Sequence, residues 1–232
     1  MSGTLYLVST PIGNLEDITL RALRILKEVD IIAAEDTRHT RQLLSHFDIH
    51  VPLVSCHAFN EHDKVDDLIV QVQNGKNIAL VSDAGTPSVA DPGFLLVRSA
   101  IEAGLSPVVI PGVSAVTFAV TASGLPVDTF TFRGFAPVKP GKRRTFLLSM
   151  LEDQRTSFFF ESPFRVAKTL NELAELAPDN PVAIIREATK LHEEIIHGTA
   201  AEAAAIKREW KGEFVIGVTP FAKLKEKNPG ND

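Results

Sequence analysis

One cysteine, one tryptophan, one tyrosine and two methionines in 232 residues set the first limits on this chain. Cys56 alone closes no internal disulfide and supplies no thiolate cluster for zinc or for iron and sulfur, so neither redox chemistry nor a structural zinc site is expected. No apolar run approaches the roughly 18 residues that span a bilayer. The segment Met1 to Val8 lacks the charged and then apolar pattern of a signal peptide. The expectation is a cytoplasmic protein with no membrane contact. A G-x-G-x-x-G after the first apolar run and a G-x-x-x-x-G-K-[ST] are both missing, which weakens the ordinary dinucleotide and Walker-loop readings. In HEEIIH, His192 and His197 stand five apart where a zinc-protease helix needs four. No metal site is expected.

What is present is ordinary in bulk and unusual in its loops. A hydrophobic fraction of 44% and a charged fraction of 23% fit a globular protein with a real core. The net charge of -5 argues against a polycation but allows one basic face. Apolar runs and helical spacings alternate: strands at 5–9, 30–34, 51–55, 78–81 and 107–110, with helices at 14–29, 38–47, 60–74, 93–103 and 114–123. The uniformly apolar runs 78–81 and 108–110 suit a parallel sheet covered on both faces. After the turn-rich GLPVD at 124–128 the grammar changes to strands at 131–135 and 156–160, a basic loop at 139–144 and a helix at 163–176. Strands at 182–185, 193–197 and 214–219 and a helix at 199–210 complete it. This predicts two α/β domains, 1–124 and 125–222, and a polar tail 223–232.

Four turn segments follow apolar runs: TPIGN from Thr10, AEDTR from Ala34, SDAGTPSVADPG from Ser82 and PGVSA from Pro111. In an open α/β sheet the ligand sits at the carboxyl ends of the strands, so these loops describe one binding site. Asp83, Gly85, Pro87, Asp91, Pro92 and Gly93 crowd the longest of them. Glycine lets a ligand approach backbone, proline fixes a turn and a carboxylate accepts hydrogen bonds from hydroxyls or amines. A tight turn with helix-capping aspartates is the plainer alternative for that loop, and its recurrence after successive strands favours binding.

These loops, together with the FRGF at Phe132, FFESPFR at Phe159, REATK at Arg186 and GEFVIGV at Gly212, occur in the order seen in one family. The chain resembles the ribosomal RNA small subunit methyltransferase I family, which is similar to the tetrapyrrole methylases. The resemblance implies two α/β domains with a cofactor cleft between them, a fold distinct from the Rossmann methyltransferases. It also implies 2'-O-methylation of a cytidine ribose in 16S ribosomal RNA near the decoding centre, with S-adenosylmethionine as cofactor and a homodimer as the working form. Matched motif by motif, the cofactor residues are Pro11, Asp83, Ala84, Gly85, Val89, Ala90, Ser114 and Ala115, with Glu161, Glu187 and Ala188 from the second domain.

A ribose hydroxyl attacks poorly until its proton leaves, so a base beside it helps. Asp36 and Arg38 of AEDTR and Lys190 of REATK are the catalytic candidates. Their alternatives are an ion-paired helix cap and a solvated amine. The run Lys139, Lys142, Arg143 and Arg144 is the RNA candidate, because phosphate contacts need clustered cations; a solvated linker is its alternative. His57 and His62 with Glu61 and Asp63 read as loop polar residues rather than metal ligands, and Phe158, Phe159 and Phe160 read as core. Competing functions are a tetrapyrrole methylase on the same scaffold, a metal-assisted hydrolase and a noncatalytic ribosome-assembly factor.

Overall fold

The computed structural model describes residues 2–56, 61–91 and 93–221, without the side chains of 61–63. His57, the side chains of Glu61, His62 and Asp63, and the tail 223–232 therefore lie outside the described residues. The chain divides into two compact units, Met1–Ala115 and Val116–Asp232. The sequence reading sets its own division later, after Gly124.

The first unit runs β1 (Leu5–Val8), α1 (Leu20–Glu28), β2 (Ile31–Ala34), α2 (Thr37–His46), β3 (Leu53–Ser55), α3 (Glu61–Gln73), β4 (Ile78–Val81), α4 (Phe94–Glu102) and β5 (Val108–Ile110). Its strands form one parallel sheet in the order β3-β2-β4-β1-β5. Because successive strand residues face opposite ways, each strand feeds two cores. Ile32, Ala34, Ala79 and Val81 pack with Ala22, Ile25 and Leu26 of α1 and Leu44 of α2. Ile31, Ala33, Ile78 and Leu80 pack on the other face with Val65, Leu68 and Val72 of α3 and Leu96 and Ala100 of α4. Adjacent strands β1 and β4 thus send their chains to opposite faces. The carboxyl ends of these two strands are therefore where such sheets take ligands.

The expected helix at 14–29 is interrupted. Asn14 caps a single 3-10 turn, Leu15–Asp17, and Thr19 starts α1 by accepting a hydrogen bond from the Ala22 amide at 3.0 Å. The run 108–110 is a second correction. β5 is an edge strand with Val108 and Val109 exposed, so only one of the two quoted runs is covered on both faces.

The helix α5 (Ala115–Ala122) begins at the division. The second unit continues with β6 (Phe130–Phe135), α6 (Pro140–Leu151), β7 (Thr156–Glu161), α7 (Val166–Leu176), β8 (Pro181–Arg186), β9 (Glu194–Thr199), α8 (Ala200–Ala205) and β10 (Phe214–Val218). Its sheet order is β6-β7-β10-β8-β9, with only the β6–β7 pair parallel. Leu147, Met150, Leu170, Leu173, Ala200 and Ala203 cover one face over Phe159, Ile184 and Ile216. Phe158 is buried on the opposite side, where a Cβ on Gly217 would stand 2.7 Å from its ring. Core placement of Phe158 and Phe159 agrees with the sequence reading.

Two element readings change here. The segment 139–144 is the N-cap and first turn of α6, with Pro140 at the helix start. α8 ends at Ala205, where 199–210 was expected; its Thr199 and Glu202 form a reciprocal capping box. Among the described residues no helix is long and apolar enough to cross a membrane.

Candidate functional site

The loops after β1 and β4 are bound into one surface at the carboxyl edge of the first sheet. The Thr10 amide donates to the Gly85 carbonyl at 2.8 Å and the Gly85 amide returns the bond to Thr10 at 3.0 Å. The Ser9 and Thr86 hydroxyls lie 2.9 Å apart, and the Thr10 hydroxyl reaches the Ser82 carbonyl at 3.3 Å. The Ser9 amide also donates to Ile110, which brings in the start of the fourth loop. Gly85 sits at φ +76, and a Cβ there would touch Ile12 at 3.4 Å. Ser88 and Ala90 take φ of 70 and 66, conformations that cost non-glycine residues of the order of 1 kcal/mol or more each. The loop is therefore held in an unusual backbone shape, with Ala84, Val89 and Ala90 exposed on it and Pro11 buried beneath.

Carboxylates crowd the same edge. Asp36 caps α2 by accepting the Arg38 amide at 2.8 Å and pairs with the Arg38 guanidinium at 2.7 Å. Those bonds to Arg38 hold its carboxyl well below the usual range. The Asp36 amide in turn donates to Asp83 at 2.9 Å, joining the ends of β2 and β4. Asp91 behaves oppositely. Burial first, and then the charges of Glu35 and Asp83, push it up to about 6, while a hydrogen bond from Ser82 draws it partly back. Sequence reasoning placed Asp91 in the loop but gave it no role. Its signal lay in the loop's second aspartate, with Glu35 56 residues away in sequence.

The structure brings Pro11, Asp83, Ala84, Gly85, Val89 and Ala90 onto the bonded loops with Asp36. In the second unit, Glu161 is fully enclosed. One of its oxygens accepts from the Ser162 amide at 2.7 Å and the Arg165 guanidinium at 2.9 Å; the other accepts from the Thr169 hydroxyl at 2.5 Å. A side-chain contact from Glu161 to a ligand is thereby corrected, since both oxygens serve its own turn. Lys190 bridges Glu187 and Glu213 at 3.1 Å each, and its pKa is raised despite burial because both carboxylates bond it. That corrects Lys190 as a base: the amine stays protonated. Glu187 and Thr189 flank Ala188 at φ of 51 and 65 in a left-handed turn.

The basic run separates by exposure. Lys139, Lys142 and Arg144 face outward. Arg143 is 2% exposed, and its guanidinium forks onto Glu172 at 3.0 and 2.5 Å. It is corrected from phosphate ligand to structural ion pair. His197 is a strand residue whose Nε2 lies 3.0 Å from the Ala122 carbonyl. Among the described residues no three His, Cys, Asp or Glu side chains are placed to hold a metal.

A parallel sheet of this order, with hydrogen-bonded loops at 10–14 and 82–91 and no glycine fingerprint, has a known counterpart. The family model for the tetrapyrrole (corrin/porphyrin) methylases matches residues 4–204. The chain belongs to that family. Within it, the chain is 48% identical over 219 residues to a ribosomal RNA small subunit methyltransferase I of Xylella fastidiosa, covering 92% of this chain and 80% of that protein. It is 49% identical over 216 residues to the protein of the same name from Halalkalibacterium halodurans, covering 92% and 75%. These identities place this tetrapyrrole methylase in the ribosomal RNA small subunit methyltransferase I branch. Among solved structures, the uroporphyrin-III-C-methyltransferase of Thermus thermophilus superposes with a TM-score of 0.67 at 20% identity, covering 94% of each chain. A diphthine synthase superposes at 0.69 with 15% identity, covering 94% of this chain and 90% of its own. Those likenesses establish the fold, and the missing Rossmann fingerprint of this methylase follows from it.

Proposed function

We propose that this methylase transfers a methyl group from S-adenosylmethionine to the 2'-hydroxyl of a cytidine ribose in 16S ribosomal RNA, near the decoding centre of the small subunit. The observation that carries the reading is the crevice of bonded loops at β1, β2 and β4, edged by Glu35, Asp36, Asp83 and Asp91, in a chain nearly half identical to methyltransferases of that name. The residues fit the cofactor. Gly85 leaves room that a Cβ would fill, small side chains let backbone groups reach an adenosine, and the carboxylates suit a sulfonium and an ammonium.

When bound, S-adenosylmethionine supplies an electrophilic methyl group. The chain's own task is to hold the ribose oxygen in line with it, which accounts for much of the rate in such displacements. Asp83 and the backbone of 84–90 orient the donor. Asp36, held ionised by Arg38, is a weak base; Asp91, the more basic carboxylate of the crevice, takes the hydroxyl proton. Ser114 and Ala115 extend the cofactor surface; Glu161, Glu187 and Ala188 are assigned to the cofactor by their motifs alone, the two carboxylates being engaged by Ser162, Arg165 and Thr169 and by Lys190 and the Glu213 amide. Lys139, Lys142 and Arg144 meet phosphates. The working form is a cytoplasmic homodimer.

The test is transfer from isotopically labelled S-adenosylmethionine to small subunits purified from cells lacking the enzyme, then nuclease digestion and mass analysis of nucleosides. A new 2'-O-methylcytidine is expected. No incorporation with cofactor binding intact rejects the RNA acceptor, and a uroporphyrinogen-like acceptor in the same assay identifies the tetrapyrrole alternative.

A further inference from the structure

At one edge of the second unit's sheet, aromatic rings are displayed to solvent from rigid supports. β6 and β7 run parallel, and β10 is antiparallel to both β7 and β8, so the carboxyl ends of β6, β7 and β8 share that edge. Phe135 ends β6 with 60% of its surface exposed, and Phe164 follows β7 with 90% exposed. Val138 at 70% and Leu191, beyond β8, at 93% continue the row. Exposing a phenylalanine this fully forfeits most of the roughly 2 kcal/mol its burial could supply, which a functional contact explains.

The supports distinguish these rings from casual exposure. Phe135 leans on the half-buried Phe160 with ring centroids 5.1 Å apart, and Phe160 rests on Phe132 at 4.9 Å. Phe164 stands on the turn 162–165, which contains Pro163 and closes with the Arg165 and Val166 amides donating to the Ser162 carbonyl at 2.9 and 3.1 Å. The enclosed Glu161 braces that turn from below through Ser162, Arg165 and Thr169. A buried carboxylate is costly unless its partners compensate it, so its use here serves the geometry of the turn. Lys139 and Lys142 open α6 three to seven residues beyond Phe135 and Phe160's strand neighbour Ala136, at the same edge, while Arg144 pairs with Glu175 near the end of α7 at 3.2 Å.

We infer that this edge binds an unpaired strand of RNA, with bases stacking on Phe164 and Phe135 and phosphates meeting Lys139 and Lys142. The inference rests on the RNA reading above and names how the acceptor is held. Isolated rings bordered by cations suit a splayed single strand, in which every base offers a stacking face and every phosphate a charge. The lysines that open α6 beside Phe135 and Val138 favour a nucleic acid over a protein partner, whose interface cores are depleted of charge.

The probe is a dye-labelled, unstructured RNA of roughly twelve nucleotides, within the site sizes of single-strand binders. Its affinity for the full chain is read by anisotropy across a salt series. Phe164→Ala should weaken binding about tenfold with an unchanged salt slope, and Phe135→Ala should act in the same direction. Phe164→Tyr should retain affinity and Phe164→Leu should not, because stacking needs a π face. Lys142→Gln should lower the salt slope by about 0.7. Parent-like affinity in both alanine variants overturns the inference. So does equal binding by the leucine and tyrosine variants, or failure of the parent to saturate. A change of sedimentation in Phe164→Ala with RNA affinity intact overturns it too, and identifies a protein surface. Methyl incorporation into small subunits is measured on the same preparations: incorporation by the parent with unaltered RNA affinity in Phe164→Ala rejects the stacking edge alone. Loss of incorporation by the parent rejects the methylation reading, while the oligonucleotide series still judges the edge.

Discussion

Asp36 and Asp91 stand at the same strand ends and are driven in opposite directions by their neighbours. Arg38 keeps Asp36 ionised, whereas burial and the charges of Glu35 and Asp83 favour a protonated Asp91 with a pKa of about 6. The sign of the pH effect follows. A carboxyl whose folded pKa is raised above its unfolded value stabilises the fold fully below the unfolded value, near 4, and loses that contribution as pH rises through about 6. Asp91→Asn should therefore leave stability near pH 4 almost unchanged and raise it at pH 7, so that the variant's melting temperature falls less between those values than the parent's. Function runs the other way. The parent's methyl transfer should drop as pH falls below about 6, because the base is then protonated, and the asparagine variant should be slow at every pH without that inflection. Parallel melting curves against pH for parent and variant would remove Asp91 from the role given to it.

Among the elements, the turn between β8 and β9 is the one whose shape depends most visibly on a distant glycine. Gly212 has φ +98, and a Cβ there would lie 2.5 Å from the Glu187 side chain. Glu187 accepts the Glu213 amide at 2.9 Å and bonds Lys190. Gly212→Ala should cost about 1–3 kcal/mol from backbone strain and the clash, read as a lower urea midpoint. It should also release the turn, detectable as faster amide exchange at Lys190, whose N–H donates to the Glu187 carbonyl at 2.9 Å. An unchanged midpoint would show that Glu187 yields freely. Such dependence explains what the sequence disclosed and what it withheld. The β–α alternation was legible because the strands of the first unit are short apolar runs, with β1, β4 and β5 set between glycine or proline turns, and Ile78–Val81 was bounded to the residue. The first turn of α6 read as a basic loop because its cations mask the apolar spacing of Leu147, Met150 and Leu151 further on. Nothing in the composition of Arg143 distinguishes it from Lys142; only Glu172, 29 residues away, turns one into a buried ion pair. The cofactor loops were visible because glycine, proline and aspartate mark turns locally. Asp91's chemistry was not, because Glu35 reaches it only through the sheet order β2-β4.

At the scale of the molecule, two units with separate cores and a net charge of -5 present one carboxylate-lined crevice and one basic, aromatic edge. The division lets each half of the proposed reaction be tested on its own residues. A ligand that binds only the folded state stabilises it by RT ln(1 + [L]/Kd), about 2.7 kcal/mol at a hundredfold excess over Kd, and it suppresses local openings of the segments it touches. S-adenosylmethionine at that excess should slow amide exchange by up to about a hundredfold at 9–12 and 82–91, since the reciprocal Thr10 and Gly85 bonds must break for either loop to open. The Asp36 amide, which donates to Asp83, should slow with them. α8, which carries no assigned cofactor residue, serves as the internal reference and should change least. The methyl-free product S-adenosylhomocysteine should protect the same loops, though less strongly, because it keeps the adenosine and ammonium contacts and loses the sulfonium charge that the carboxylates suit. Protection spread evenly over the chain, or confined to residues other than these loops, would place the cofactor elsewhere and leave the bonded loops as a structural clasp.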